Sequence, residues 1–171
     1  MKRAILFFAM LCSALTLSAQ DPYANSTLVK TGDKVPAFSV EILDGNTVTS
    51  KQMEGKVVLI NFWATWCPYC IYELNHIQNG GLSQQLKNPD FIFLPISRGE
   101  TRAAVSALVK KRGYTFSVAI DPDEKVWNKF ATRAIPRNFV VDKNGKVVFT
   151  GVGYSEQDFL LVKRAIDKAL E

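Results

Sequence analysis

Two cysteines separated by two residues stand between an apolar run and a helical pattern, and this junction constrains the fold more than any other feature. The apolar run at residues 57–60 is typical of a buried strand. After Cys70, apolar side chains recur at helical spacing until Gly80 and Gly81, which are a common helix stop. The order strand, cysteine pair, helix therefore predicts that both thiols lie at the first turn of a helix.

A thiol in that position is suited to redox chemistry. The unpaired backbone N–H groups and the positive end of the helix dipole favour its thiolate. Pro68 fits the first helical position because it lacks the N–H that would be unsatisfied there. Cys67 and Cys70 are three residues apart on one turn, so they can also close a disulfide. The pair is therefore a candidate redox centre.

Three other interpretations of the pair compete with this one. A structural zinc site needs about four ligands, and only Cys12 and His76 remain as further candidates. An inert disulfide stabilises mainly by closing a long loop, whereas this ring spans two intervening residues. A peroxidatic cysteine is the serious competitor, but peroxiredoxins carry Thr or Ser three residues before it, where Ala64 stands. The redox dithiol is favoured.

The same residues carry a family resemblance. Residues 61–70, NFWATWCPYC, followed by Glu73, resemble the active site of the thioredoxin superfamily, specifically its TlpA/ResA-like extracytoplasmic branch. Residues 32–38 resemble the opening segment of that branch and residues 55–58 its first long strand. Residues 134–136 fall where such proteins place a cis-proline. The resemblance implies an α/β, thioredoxin-like sandwich whose mixed central β-sheet is flanked by helices, with an N-terminal β-hairpin and an inserted strand–helix element.

Apolar periodicity along the chain independently predicts strands that alternate with helices, which indicates an α/β sandwich. Turn residues at 44–46 and 143–145 predict two hairpins. The predicted strands are 38–43, 47–49, 57–63, 91–96, 116–120, 138–141 and 146–150, and the predicted helices begin near 67, 101, 121 and 155.

Two helix starts are marked by capping residues. Asp121, Pro122 and Glu124 predict an N-cap, a first-position proline and a capping-box glutamate for a short helix. Ser155 is the predicted N-cap of the last helix. The inward side of that helix is expected to carry Phe159, Leu160, Val162 and Ile166.

The first 19 residues predict an exported protein. A basic start is followed by an apolar stretch at residues 4–17 and by small residues suited to cleavage. That stretch is shorter than the roughly 20 residues that span a bilayer, so an uncleaved anchor is the lesser alternative. Lipidation at Cys12 is disfavoured because Leu11 is too large for the preceding position. We expect a signal peptide at 1–19, a flexible lead-in at 20–31 and a thioredoxin-like domain at 32–171, in the periplasm or otherwise outside the cytoplasm.

The net charge bears on a possible nucleic-acid partner, and the cysteine count bears on the number of possible disulfides. Cleavage removes Lys2 and Arg3, which lowers the net charge from +5 to +3. Such a mild excess does not indicate a nucleic-acid partner. Of three cysteines, the cleaved protein retains Cys67 and Cys70, so the redox pair is expected to be its only disulfide.

The resemblance also implies roles. Cys67 is expected to be the nucleophile and Cys70 the resolving thiol. Asn61 stands where thioredoxins often hold a buried Asp, and Glu73, on the same helical side as Cys70, is the expected substitute; a solvated surface glutamate is the alternative. His76 is interpreted as a surface residue. Substrate contacts are expected from Trp66, Pro68, Tyr69, Ile135 and Pro136.

The expected function is an exported thiol-disulfide oxidoreductase that reduces disulfides of exported proteins, with apocytochrome c as one candidate client. A membrane thiol donor would supply electrons, the protein would act as a monomer, and no metal or cofactor is expected. The dipeptide Pro68-Tyr69 is the glutaredoxin one, and glutaredoxins lie roughly 40–70 mV above thioredoxin, which does not fix the direction of electron flow. A disulfide oxidase or isomerase, a peroxidase, and a non-enzymatic protein that binds clients in the cis-Pro groove stay open.

Overall fold

The strand that leads to the cysteine pair, β3 (Val57–Trp63), lies inside the sheet with all seven residues buried. It runs parallel to β4 (Phe91–Arg98) and antiparallel to β6 (Arg137–Val141). The computed structural model describes residues 22–171. The signal peptide expected at residues 1–19, with Cys12, lies outside the described residues.

Seven strands form one mixed sheet in the described part of the chain. The other elements are β1 (Ser39–Ile42), β2 (Thr47–Thr49), α1 (Pro68–His76), α2 (Arg102–Arg112), β5 (Ala119–Asp121), α3 (Trp127–Phe130), β7 (Val147–Val152) and α4 (Glu156–Leu170). The strand order is β2-β1-β5-β4-β3-β6-β7, in which β3, β4 and β5 are parallel to one another. This is the α/β, thioredoxin-like sandwich with an N-terminal hairpin that the sequence predicted.

The two faces of β3 serve two different core layers. Leu59 and Trp63 belong to the layer under α1 and α4, whereas Ile60 and Phe62 belong to the layer that contains α3. Burying a side chain of this size stabilises the fold by roughly 2 kcal/mol. Because the alternation has period two, Asn61 points to the same side as Leu59 and Trp63. A polar residue is thereby placed beneath the active-site helix.

The inserted element lies between the cysteine pair and Pro136. Two strands and two helices, β4, α2, β5 and α3, occupy this interval. The short helix α3 starts later than predicted, and Asp121 caps it although it lies 6 residues before Trp127, the first residue of the helix. Its carboxylate accepts hydrogen bonds from the backbone N–H groups of Val126 (3.0 Å) and Trp127 (2.7 Å). Glu124 has a φ of 55°, so the predicted capping box with Pro122 at the first position is wrong.

Residues 22–30 are packed against the domain, which corrects the expected flexible lead-in. The backbone N–H of Leu28 donates to the Phe130 carbonyl (2.9 Å). Thr27 pairs with Ala131 in an isolated bridge, and Val29 is buried. We call residues 22–30 the N-terminal strap. Within residues 22–171, no helix is both long and apolar enough to span a bilayer.

Candidate active site

Cys67 and Cys70 form a disulfide at the start of α1. Cys67 is the N-cap: its backbone is extended, and its sulfur accepts a hydrogen bond from the Cys70 N–H at 3.2 Å. Pro68 occupies the first turn, as predicted. Because the Cys67 sulfur accepts from a first-turn N–H and faces the positive helix end, its thiolate is favoured after reduction.

The two sulfurs differ in access. Cys67 is 5% exposed and Cys70 is fully buried. In thiol–disulfide exchange, the partner molecule must be able to reach the protein sulfur that attacks it or that it attacks. An outside partner can therefore approach Cys67 but not Cys70, which fits the nucleophilic and resolving roles expected from the sequence.

The loop before β6 lies against the accessible sulfur. The carbonyl oxygen of Ile135 is 3.7 Å from Cys67 Sγ. The Ile135–Pro136 peptide bond is cis, in agreement with the expected position of a cis-proline. Ala134, just before it, has a φ of 67°, a left-handed conformation that is uncommon for a residue with a side chain.

Three large aromatic side chains stand exposed around the disulfide. Trp66, one of the expected substrate contacts, is 65% exposed, whereas Trp63 is fully buried in the core. Tyr69 and Tyr72 are exposed to a similar degree, with ring centroids 6.3 Å apart. The sequence reasoning missed Tyr72, although its spacing of three from Tyr69 on a helix places both on one face.

A ring of three polar side chains lies beneath the helix. Asn61 Nδ2 donates to Glu73 Oε2 and to Asn138 Oδ1, both at 2.8 Å. Asn138 Nδ2 donates to Glu73 Oε1 at 2.6 Å. Glu73 is 1% exposed, so the alternative of a solvated surface glutamate is wrong. Asn138 was missed, although a polar residue within an otherwise apolar strand, directly opposite Asn61 in the sheet, signals such a site.

Burial changes the proton affinity of this carboxyl. Loss of solvation raises the pKa of Glu73 from 4.5 to about 7, and the charge of Asp158 adds to the rise. The hydrogen bonds from Asn138 and Asn61 act in the opposite direction because they stabilise the carboxylate. Glu73 can thus take up and release a proton near neutral pH.

A cavity of about 370 Å³ reaches this buried carboxyl from the side of β7 and α4. Glu73 and Asn138 line its inner end, and the exposed Asp158 lines it as well. Gly151 is paired with Asn138 across the two strands, and the ring of Phe149 occupies the space beside it, 2.9 Å from where a Cβ at 151 would stand. The cavity offers protons a path between Glu73 and the surface.

His76 is not the surface residue that the sequence suggested. Its Nδ1 lies 2.8 Å from the Tyr154 hydroxyl, and its ring centroid lies 4.4 Å from that of Phe159. The helix α4 and the residues before it therefore cover this end of α1. Hydropathy alone could not show this, because the covering residues lie far along the chain.

The loop that leads to Cys67 is anchored by a residue that the sequence did not single out. The Thr65 N–H donates to Glu100 Oε2 at 2.8 Å, and the Thr65 hydroxyl donates to the other oxygen. Ser97 Oγ also donates to Glu100, at 2.8 Å. Glu100 thus ties the loop to the end of β4. Within residues 22–171, no three His, Cys, Asp or Glu side chains come together as metal ligands.

Comparison with known proteins agrees with this geometry. The profile of the Redoxin family matches residues 30–170. A thiol-disulfide oxidoreductase ResA of Bacillus cereus is 30% identical over 157 residues, which cover 91% of this chain and 90% of that protein.

Two solved structures extend the match. A Bacteroides thetaiotaomicron protein, assigned as a candidate protein disulfide isomerase, has a TM-score of 0.80 and 31% identity, with 85% of this chain and 92% of that one covered. A thiol:disulfide interchange protein of the thioredoxin family from Chlorobium tepidum TLS has a TM-score of 0.67 and 28% identity, with 83% and 99% covered. The chain belongs to the Redoxin family and is a thiol-disulfide oxidoreductase with the thioredoxin fold.

Proposed function

We propose that this protein is exported and reduces disulfide bonds of other exported proteins through Cys67 and Cys70. The observation that carries the proposal is the placement of the dithiol: one sulfur is accessible at a helix N-terminus, and the other is fully buried on the same helix as Glu73, a buried glutamate of raised pKa. An accessible nucleophile and a proton acceptor behind the second thiol are the two requirements of a cycle of disulfide exchange.

In the reduced protein, the Cys67 thiolate attacks one sulfur of the client disulfide. A mixed disulfide forms between Cys67 and that sulfur, and the other client sulfur leaves as a thiolate. Cys70, as a thiolate, then attacks the Cys67 sulfur, which forms the Cys67–Cys70 bond and releases the second client thiolate. The client gains two electrons and the protein loses two.

Glu73 removes the proton from Cys70 before this second attack. Its pKa of about 7 leaves a large share of this carboxyl ionised at neutral pH, so the carboxylate is available as the proton acceptor. Asn61 and Asn138 hold the carboxylate in place. The cavity that Asp158 also lines returns the proton to solvent.

Clients dock on both sides of Cys67. Trp66, Pro68 and Tyr69 provide an exposed surface on one side. On the other side, the backbone at Ile135 and Pro136 pairs with an extended client segment in the manner of an added strand. Such main-chain pairing accepts many sequences, which suits a protein with more than one client.

Export rests on the pattern of residues 1–19, which places the dithiol where protein disulfides persist. The similarity to ResA and to a thiol:disulfide interchange protein supports thiol-disulfide exchange as the reaction. The reducing direction, with electrons supplied by a membrane thiol donor, is part of the proposal. We propose that the protein acts as a monomer and that apocytochrome c is among its clients.

The test is insulin reduction by the purified chain of residues 20–171 with dithiothreitol as electron donor. We expect catalysis by the wild type and none by Cys67→Ser. Cys70→Ser should accumulate mixed disulfides with insulin, because attack persists but resolution does not. If the wild-type protein binds insulin without reducing it, the protein is a client-binding protein and not a reductase. If adducts accumulate on Cys67→Ser instead of Cys70→Ser, Cys70 is the nucleophile and Cys67 the resolving thiol.

A further inference from the structure

A fully buried arginine follows the proline of the client-docking loop. Arg137 opens β6 and is 0% exposed. Its guanidinium folds back on the loop: Nη2 donates to the carbonyl of Arg133 at 2.7 Å, and Nε donates to the carbonyl of Ala134 at 3.3 Å. These are the two carbonyls that precede Ile135, whose own carbonyl faces Cys67 Sγ.

The same guanidinium reaches the N-terminal strap. Nη1 donates to Thr27 Oγ1 at 2.7 Å and Nη2 to Ser26 Oγ at 3.1 Å. Both hydroxyls donate their own hydrogen to the carbonyl of Tyr23, at 3.0 and 2.9 Å. Their oxygen lone pairs therefore remain available to accept hydrogen bonds from Arg137. Each hydroxyl donates to the Tyr23 carbonyl and accepts from Arg137 at the same time.

The strap is itself fixed to the chain just before the loop. The Leu28 N–H donates to the Phe130 carbonyl at 2.9 Å, and the Thr132 N–H donates to the Ser26 carbonyl at 3.0 Å. The strap, the segment 130–134 and the guanidinium thus form one hydrogen-bonded unit. A buried charge is tolerated because polar acceptors surround it.

The loop needs this support because Ala134 holds a left-handed backbone conformation, with a φ of 67°. Such a residue persists only where its surroundings impose the conformation. The guanidinium is a rigid, planar fork with five N–H donors, so it can hold several acceptors at fixed positions, which a lysine ammonium cannot do.

We propose that Arg137, together with the strap hydroxyls of Ser26 and Thr27, is a positioning residue for disulfide exchange. It holds residues 133–135 so that the Ile135 backbone meets the client beside Cys67. The inference rests on the proposed docking of clients at this loop. Arg137 touches no reacting atom.

The test compares Arg137→Lys and Thr27→Val with the wild type. Thr27→Val keeps the shape of the side chain and removes one acceptor, and it stays informative if Arg137→Lys does not fold. A lost hydrogen bond of about 1 kcal/mol corresponds to about a fivefold change in KM for a protein substrate. We expect KM for insulin to rise by about this factor in both variants, with little change in kcat. The rate with hydroxyethyl disulfide should stay unchanged, because that molecule is too small to pair with the loop.

Val141→Ala is the matched control, because it truncates a buried side chain at the far end of the same strand. An unchanged protein KM in both variants would overturn the proposal. So would a KM that rises equally in the control, or a parallel loss with the small disulfide. Exchange is measured both as insulin reduction and as oxidation of a reduced, unfolded protein. A wild type that only oxidises would refute the proposed reducing function but not the role of Arg137. The KM comparison between variants would then be made with the oxidation assay.

Discussion

Replacing Glu73 with glutamine should flatten the pH dependence of stability that this buried carboxyl imposes on the oxidised protein. The folded-state pKa of Glu73 is about 7 against an ordinary value of 4.5. Between these values the folded protein holds a proton that the unfolded chain has lost. The free energy of unfolding therefore falls as pH rises through this window, and the stabilisation is fully present only below about pH 4.5.

The size of the effect follows from the shift. A difference of 2.5 pKa units between 4.5 and about 7, at 1.36 kcal/mol per unit, corresponds to about 3 kcal/mol. Glutamine has nearly the same shape and does not titrate in this range. The change in hydrogen bonding with Asn61 and Asn138 therefore adds an offset that does not vary with pH.

The assay is urea unfolding of the oxidised wild type and of Glu73→Gln from about pH 4 to pH 8. The difference in unfolding free energy between the two proteins isolates Glu73, because the partly exposed acids Asp90 and Asp167 titrate in both. We expect the wild type to lose about 3 kcal/mol relative to the variant across that range. A difference that is constant with pH would refute the burial argument.

The same variant tests the kinetic role. If Glu73 removes the proton from Cys70, Glu73→Gln should slow the resolving step near neutral pH, on the order of 10²-fold for the loss of a positioned base, and should shift the pH–rate profile. Superimposable profiles for wild type and variant would mean that another group moves this proton.

Three further predictions concern other parts of the protein. Asn61→Asp should raise the pKa of Glu73 further, since two adjacent carboxyls resist ionising together; NMR titration of the oxidised protein in which neither carboxyl shows a raised pKa would contradict this. Trp66→Ala should raise KM for insulin yet change the free energy of unfolding by less than about 0.5 kcal/mol, because Trp66 is exposed, and a large loss in urea unfolding would mean that Trp66 supports the fold. Export with cleavage near Ala19 should give an intact mass, measured on the periplasmic fraction, that lacks residues 1–19; a mass that retains them, or one increased by acyl chains at Cys12, would contradict it.

The elements near the dithiol could be predicted because local signals there agree with one another. The apolar run of β3, the proline after Cys67 and the glycines after α1 each specify one structural step. The residues that complete the site come from distant strands. Asn138 meets Glu73 only because β6 pairs with β3, and no spacing within one element could predict that contact.

The errors have a common physical origin. His76 was interpreted as a surface residue and residues 20–31 as a flexible lead-in, whereas α4 packs against His76 and the residues before β6 hydrogen-bond to the strap. Leu160 shows the opposite error: it is apolar but half exposed, because the buried stripe of α4 passes through Phe159 and Val162 and leaves it to one side. Arg137 was missed since a single arginine in an apolar strand does not indicate which carbonyls it will meet.

The reducing direction of the Cys67–Cys70 pair is tested most directly by its reduction potential, measured by equilibration of residues 20–171 with glutathione redox couples and quantification of the free thiols. A protein that works as a reductant should show a value at or below about −200 mV, in the range of glutaredoxins and thioredoxin. A value near −120 mV, roughly that of a strong disulfide oxidant, would contradict the reducing direction.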